Sequence, residues 1–278
     1  MEKEQLKFEK RFDTSIKEVI VLTQDGVGAG KVGAATLWNA HMKTLAYVDV
    51  QTGAVIKKNT ILTWQLTDAE CRTKERIFNL KKEWIYRLKV RKSLPDVHEN
   101  VSCGLNLMVV EVLERNCRDD RLEEILREYQ KPVKIHPLGC SELLLDKSLG
   151  MFDGDCKWNG ERCMVHLDVD EDGAETAEDA IVTLAELLSH SKIWDDQARK
   201  FAASELAEMA NEWQPEDEEN ALEISKEDFE KRLTISELCI SIDGDFEIFY
   251  DDDDMFWGHV IIVSGNIKKG LEDATIAG

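Results

Sequence analysis

The sequence predicts an α+β protein of two domains: a β-rich, barrel-like N-terminal domain at residues 1–147, then an acidic α+β domain at residues 148–278 with antiparallel hairpins and a helical pair. Three observations predict it. The first half reads mostly as apolar alternation of period two, the mark of half-buried strands, with few helical stretches. Past Lys147-Ser148-Leu149-Gly150 the pattern changes to an Asn-Gly hairpin, two helices and a three-strand meander. Charge changes at the same place: residues 1–150 hold 25 Lys and Arg against 22 Asp and Glu, whereas residues 151–278 hold 10 against 34.

Lys17 to Thr23 (KEVIVLT) opens the first domain as a strand, and Gly26 to Gly33 follows as a glycine-rich loop. Gly28-Ala29-Gly30-Lys31-Val32-Gly33 fits the dinucleotide pattern G-x-G-x-x-G, with Asp49 downstream. A Rossmann turn puts its first glycine directly after the strand, and here Gln24 to Val27 intervene, so a hairpin loop is the better reading. A P-loop is excluded because Val32 stands where Ser or Thr is required. Ala35 to Val50 is extended, Gln51-Thr52-Gly53 turns the chain, and Val55 to Trp64 is another strand.

Thr67 to Asn79 is helix-compatible, with Thr67 as N-cap. Trp84 to Lys92 alternates as a strand, Trp84, Tyr86, Leu88 and Val90 on one face and Arg87, Lys89 and Arg91 on the other. Nine basic residues between Arg72 and Lys92, with aromatics interleaved, are a composition that a nucleic-acid groove uses. The acidic remainder of the chain would repel a phosphate backbone, so this reads as a solvated strand face. Ser93 to Asn100, with Pro95, is a loop; Leu105 to Leu113 is a strand, Arg118 to Gln130 an amphipathic helix ended before Pro132, and Leu143 to Leu145 a further strand.

In the second domain Met151 to Trp158 and Glu161 to Leu167 flank Asn159-Gly160, which sets Cys156 opposite Cys163 as two reduced thiols. Asp168-x-Asp170-x-Asp172-Gly173 with Asp179 further on matches an EF-hand loop except that its last residue is Asp rather than Glu. A strand rather than a helix enters it, and carboxylates ahead of a helix are also what the helix dipole favours. Thr176 to Ser189 and Lys192 to Trp213 are helices, the second with Trp194, Ala198, Phe201, Leu206 and Met209 near helical spacing. Glu216 to Asn220 is an acidic connector, and Ser225-x-x-Asp228 caps a short helix reaching Leu233. Leu238 to Ile242, Phe246 to Tyr250 and His259 to Ser264 form the meander, turned first at Asp243-Gly244; Lys268 to Gly278 leaves room for one more strand.

Three features of this domain carry a resemblance. The Asn159-Gly160 hairpin, helices ending in Asn211-Glu212-Trp213, and strands bearing Asp243 to Asp252 and Phe256-Trp257-Gly258-His259 resemble the bacterial family called domain of unknown function 2262, over about residues 148–278. The preceding segment, with Leu37-Trp38, Thr52-Gly53 and Ile85 to Arg91, is similar to the β-rich domain that commonly precedes it. The family brings no established activity. Similar acidic loops with a Gly-His strand occur among predicted immunity proteins of bacterial toxin systems, and the resemblance implies a role of that type.

Composition sets limits. Hydrophobic content of 43% and mean hydropathy of -0.36 are ordinary for globular chains, and no run approaches a bilayer-spanning length. The charged N-terminus lacks an apolar core of a signal peptide, and seven cysteines without a Cys-x-x-Cys pair fit a reducing cytoplasm. A formal net charge of -21 repels nucleic acid and membranes and favours a basic protein partner. No cofactor is expected.

The surface singled out for that partner is Asp251, Asp252, Asp253 and Asp254 with Phe256, Trp257 and His259, because carboxylates steer Lys or Arg and aromatic rings stack on them. The expected function is a non-enzymatic binding protein, of immunity type. The alternative is a metal-dependent hydrolase in which the aspartates and His259 hold a divalent ion and activate water. No G-x-S-x-G or His-Glu-x-x-His spacing supports another enzyme class.

Overall fold

The computed structural model describes residues 2–57, 60–73, 78–94, 105–214 and 223–278, and the chain divides into two compact units, Met1–Lys131 and Pro132–Gly278. No helix among the described residues is long and apolar enough to cross a membrane.

The first unit contains strands β1 (Lys17–Thr23), β2 (Gly28–Gly30), β3 (Trp38–Asp49), β4 (Val55–Ile56), β5 (Thr60–Leu66), β6 (Ile85–Lys92) and β7 (Leu105–Arg115), with helices α1 (Glu2–Glu9), α2 (Asp68–Arg72) and α3 (Asp120–Tyr129). The order β1-β6-β7-β5-β3 closes on itself because β3 also pairs with β1, giving a five-stranded barrel. The short strands β2 and β4 pair with β3. Closure leaves the barrel strands without an unpaired edge, and period-two alternation fills the interior. Val19, Val21, Met42, Leu62, Trp64, Tyr86, Leu88 and Val90 meet there. On the outside of β6, Arg87 pairs with Glu18, Lys89 with Glu111 and Arg91 with Glu9, so the basic face is matched by carboxylates. Helix α3 lays Leu122 over Leu22, Ala46, Val48 and Ile85, and Asp119 caps it by accepting from the N–H groups of Arg121 and Leu122.

Two local expectations change here. Helix α2 runs only five residues; Thr67 and Glu70 form the full capping box, but Phe78 and Asn79 have φ of 68° and 32°, which a helix cannot continue through. The glycine-rich run supplies β2, and Gly28 lies so close to His41 that a Cβ there would stand 2.6 Å from the ring. Asp49 ends β3 by accepting from the Gln51 and Thr52 N–H groups, so it has no ribose-binding role. The loop from Pro95 to Asn100, Cys103 and the connector from Glu216 to Asn220 lie outside the described residues.

The second unit contains β8 (Lys134–Ile135), β9 (Leu143–Asp146), β10 (Met151–Trp158), β11 (Glu161–Asp168), α4 (Glu178–Ser189), α5 (Ser191–Glu212), α6 (Lys226–Arg232), β12 (Thr234–Ile240), β13 (Asp245–Asp251), β14 (Val260–Asn266) and β15 (Gly270–Ala277). These strands form one sheet in the order β15-β14-β13-β12-β11-β10-β9-β8. Every pair is antiparallel except β11 with β12, which the helices connect. Asn159 and Gly160 take φ of 48° and 91°, the two left-handed residues of a type I′ turn, and set the expected register of Cys156 opposite Cys163. Their sulfurs lie 3.4 Å apart as free thiols.

Along α5 the buried residues are mostly small, Ala198, Ala202, Ala203, Ala207 and Ala210 beside Leu206, whereas Met209 is partly exposed. Small side chains let the helix axis lie close to the sheet. The inner faces of the strands and helices share one core, with Phe152, Trp158, Leu238, Phe246, Ile248 and Phe256 among its members.

The boundary between the units falls after Lys131 rather than after Lys147. Residues 147–150 form a hairpin turn inside the second sheet: Asp146 accepts from the N–H groups of Ser148 and Leu149, and Gly150 supplies φ of 73°. Strand β9, expected in the first domain, pairs with β10. The glycine and the shift in charge marked this turn, not the end of a domain.

Candidate functional site

The loop between β13 and β14 is built from both sides of a strand. In β13, Phe246, Ile248 and Tyr250 point inward while Asp245, Glu247 and Asp251 point outward. Continuing that alternation, Asp252 turns in and is 4% exposed. Its carboxylate accepts from the N–H groups of Asp254 and Phe256, so a buried charge is satisfied by the backbone of its own loop. Met255 and Phe256 then enter the core, Phe256 entirely.

What remains on the surface is narrower than the sequence suggested. Asp251, Asp253, Asp254 and Trp257 are exposed, Trp257 by 67%. Asp252 and Phe256 do not belong to any partner-binding surface: one is a loop cap and the other a core anchor. Asp253 is held by Arg232, whose Nε donates to its carboxylate at 2.8 Å and whose Nη2 donates to its carbonyl at 2.7 Å. His259 is half-buried and donates from Nδ1 to the Phe256 carbonyl at 2.6 Å, which closes the loop.

The backbone conformation of this loop is unusual. Asp253, Asp254 and Trp257 have φ of 47°, 64° and 57°, and Gly258 follows at 84°. Left-handed backbone costs a non-glycine residue roughly 1–2 kcal/mol, and three such residues within five positions persist only where surrounding contacts determine them. Those contacts are visible. Trp213, at the C-terminal end of α5, lies 5.6 Å from Phe256, 5.3 Å from Trp257 and 5.4 Å from His259, ring to ring.

Trp213 and Arg232 are thus the site residues missed by reading the loop alone. One signal was present, in the Asn211-Glu212-Trp213 motif. Asn211 accepts from the Ile224 N–H at 2.8 Å and donates to the Ile224 carbonyl at 3.1 Å, which fixes the helix end that carries Trp213.

The EF-hand-like run is arranged differently from a cation loop. Asp170 accepts from the Asp179 N–H at 3.0 Å, and the Thr176 hydroxyl, followed by the N–H groups of Asp179 and Glu178, holds its carboxyl below the ordinary range. It caps the start of α4, where Ala177 offers no side chain of its own. Asp179 is spent on the Asp243 N–H, 2.6 Å away. Asp168, Asp170, Asp172 and Asp179 do not converge, and no group of three or more His, Cys, Asp or Glu among the described residues is placed to hold a metal ion. Asp251 to Asp254 with His259, the residues of the hydrolase alternative, form no such group either: Asp252 faces the core and caps its own loop, and Asp253 is paired with Arg232.

Fold and site together define a two-unit α+β protein, a closed β-barrel and a helix-backed sheet carrying a rigid acidic and aromatic loop. Residues 139–276 match the family described as an uncharacterized protein conserved in bacteria, domain of unknown function 2262, and that part of the chain belongs to it. Residues 4–129 match domain of unknown function 7021. No curated protein and no solved structure matches the chain.

Proposed function

We propose that the protein is a non-enzymatic binding protein of immunity type whose second unit captures a basic protein partner on the β13–β14 loop. The observation that carries this reading is the exposed Trp257 ring, fixed in left-handed backbone against Trp213 beside Asp251, Asp253 and Asp254. An aromatic held in one place loses little entropy on binding, and an adjacent ring and carboxylates accept a Lys or Arg side chain by stacking and charge together. The surrounding charge supports it: residues 132–278 hold 12 Lys and Arg against 36 Asp and Glu, a field that steers a cationic protein to the unit. Six described cysteines are free thiols, which favours the reducing cytoplasm as its compartment.

The test is fluorescence anisotropy with a labelled nona-arginine peptide at physiological salt, since a known partner is not required to probe the surface. Trp257→Ala, and separately Asp251→Asn with Asp254→Asn, should each weaken binding about tenfold, the effect of losing one anchor. A control pair, Glu205→Gln with Glu208→Gln on the exposed side of α5, should not. Equal losses in the loop and control variants would show attraction to bulk charge and sink the proposal.

A further inference from the structure

Three cysteines lie side by side across the sheet of the second unit. Gly139, with φ of 87°, turns the chain between β8 and β9, and the turn brings Cys140 alongside β10, where it bridges to Cys156. On the other side of β10, Cys156 pairs with Cys163 of β11, their sulfurs 3.4 Å apart. Cys156 is 2% exposed and Cys163 3%, whereas Cys140 is half-buried and follows the exposed Leu138 and Gly139.

The two pairs differ in geometry. A strand residue directs its N–H and C=O to the same side, so one that is hydrogen-bonded to the neighbour on that side is non-hydrogen-bonded to the other. The bonds that frame Cys140 and Cys156 run from the Ser141 N–H to the Asp155 carbonyl at 2.7 Å and from the Lys157 N–H to the Gly139 carbonyl at 3.3 Å, each one residue outside the pair. That is the non-hydrogen-bonded arrangement, which brings opposite Cβ atoms closest, and a disulfide requires them about 3.5–4.5 Å apart. Cys156 and Cys163 stand on the wider, hydrogen-bonded side. Hydrogen bonding to the Cys156 thiol holds Cys140 and Cys163 below the ordinary thiol range and pushes Cys156 itself up. Cys140 thus combines thiolate character with surface, the two properties that decide which cysteine an oxidant finds.

We infer that Cys140 and Cys156 form a reversible dithiol site for hydrogen peroxide, with Cys140 the reacting thiol and Cys156 the resolving one. The Cys140 sulfur attacks one peroxide oxygen and the O–O bond breaks. The other oxygen leaves as hydroxide and takes the proton that Cys140 gave up, so water departs and a sulfenic acid remains. The Cys156 sulfur then attacks the Cys140 sulfur, the S–O bond breaks, and the leaving hydroxide carries off the Cys156 proton as a second water. Two thiols have passed two electrons to one peroxide, and the disulfide ties the β8–β9 connection to β10. An external thiol reverses it by exchange.

The experiment treats the full chain with a small excess of hydrogen peroxide, blocks the remaining thiols with N-ethylmaleimide after unfolding, and maps the peptides by mass. Two of the seven thiols should be lost, both to one Cys140–Cys156 disulfide, and dithiothreitol should restore them. Cys239, also half-buried but pushed up by burial and by the Glu237 carboxylate, should stay alkylatable. Cys156→Ser should hold the oxidation on Cys140 as oxygen adducts, because no resolving thiol remains, and Cys140→Ser should leave Cys156 and Cys163 both alkylatable. The wild-type map needs no variant, so it decides the matter even where a buried substitution prevents folding. The inference is overturned by a Cys156–Cys163 disulfide, by oxidation of Cys239 as fast as that of Cys140, or by a wild-type chain that keeps all seven thiols.

Discussion

Asp195 shows what a single carboxylate can hold together. At 4% exposure it accepts from Trp158 Nε1 at 3.1 Å, Tyr250 Oη at 2.9 Å, Asn159 Nδ2 at 3.4 Å and Arg199 Nε at 2.9 Å. Arg199 in turn reaches the carbonyls of Glu230 and Leu233 and lies over the Tyr250 ring. Burial pushes the Tyr250 phenol up, and the neighbouring carboxylate pushes it further, so the hydroxyl stays a donor. Asp195→Ala should therefore cost about 3–5 kcal/mol in urea unfolding, since it strands a guanidinium and two ring donors inside the core. Tyr250→Phe, which removes one donor and leaves the rest matched, should cost only about 1 kcal/mol. None of this was legible in the sequence, because the partners lie 37 and 55 residues from Asp195 along the chain. The acidic loop was legible as a place and not as a surface. Its four aspartates look alike in sequence, and only strand alternation separates the buried Asp252 from the exposed Asp251.

Hairpins were the elements read most directly, because their turn chemistry is local. Asn159-Gly160 gave both the turn and its register, down to the Cys156 and Cys163 pair. Gly160 has φ of 91° and nothing within 4 Å of where a Cβ would stand, so Gly160→Ala isolates the backbone term from packing. The expected loss is about 1–2 kcal/mol in a denaturant titration, with the slope of the transition unchanged. The parallel contact of β11 with β12 was not readable in this way: it is made between strands separated by three helices, and nothing in either strand's own pattern names the other. Helix α1 escaped notice because eight mostly charged residues show little apolar periodicity, with only Phe8 buried.

At the scale of the molecule, two sheets account for two units, and where the chain is cut decides which survives. A fragment of residues 132–278 retains all eight strands of its sheet and should melt cooperatively with dispersed NMR signals. A fragment of residues 148–278, the boundary that charge alone suggests, lacks β8 and β9 and strips the cover from β10. It should aggregate or lose its cooperative melt; equal behaviour of the two fragments would contradict the assigned boundary. The topology of that sheet also bears on time. Strands β8 to β11 follow one another as neighbours, as do β12 to β15, so each four-strand half can zip up from short-range contacts. Their union waits on a distant encounter across Val169 to Leu233, and distant encounters are the slow steps of folding. The seam between β11 and β12 is then the last place on the unit to become native, and the interval before it closes is when its two inner strands stand bare.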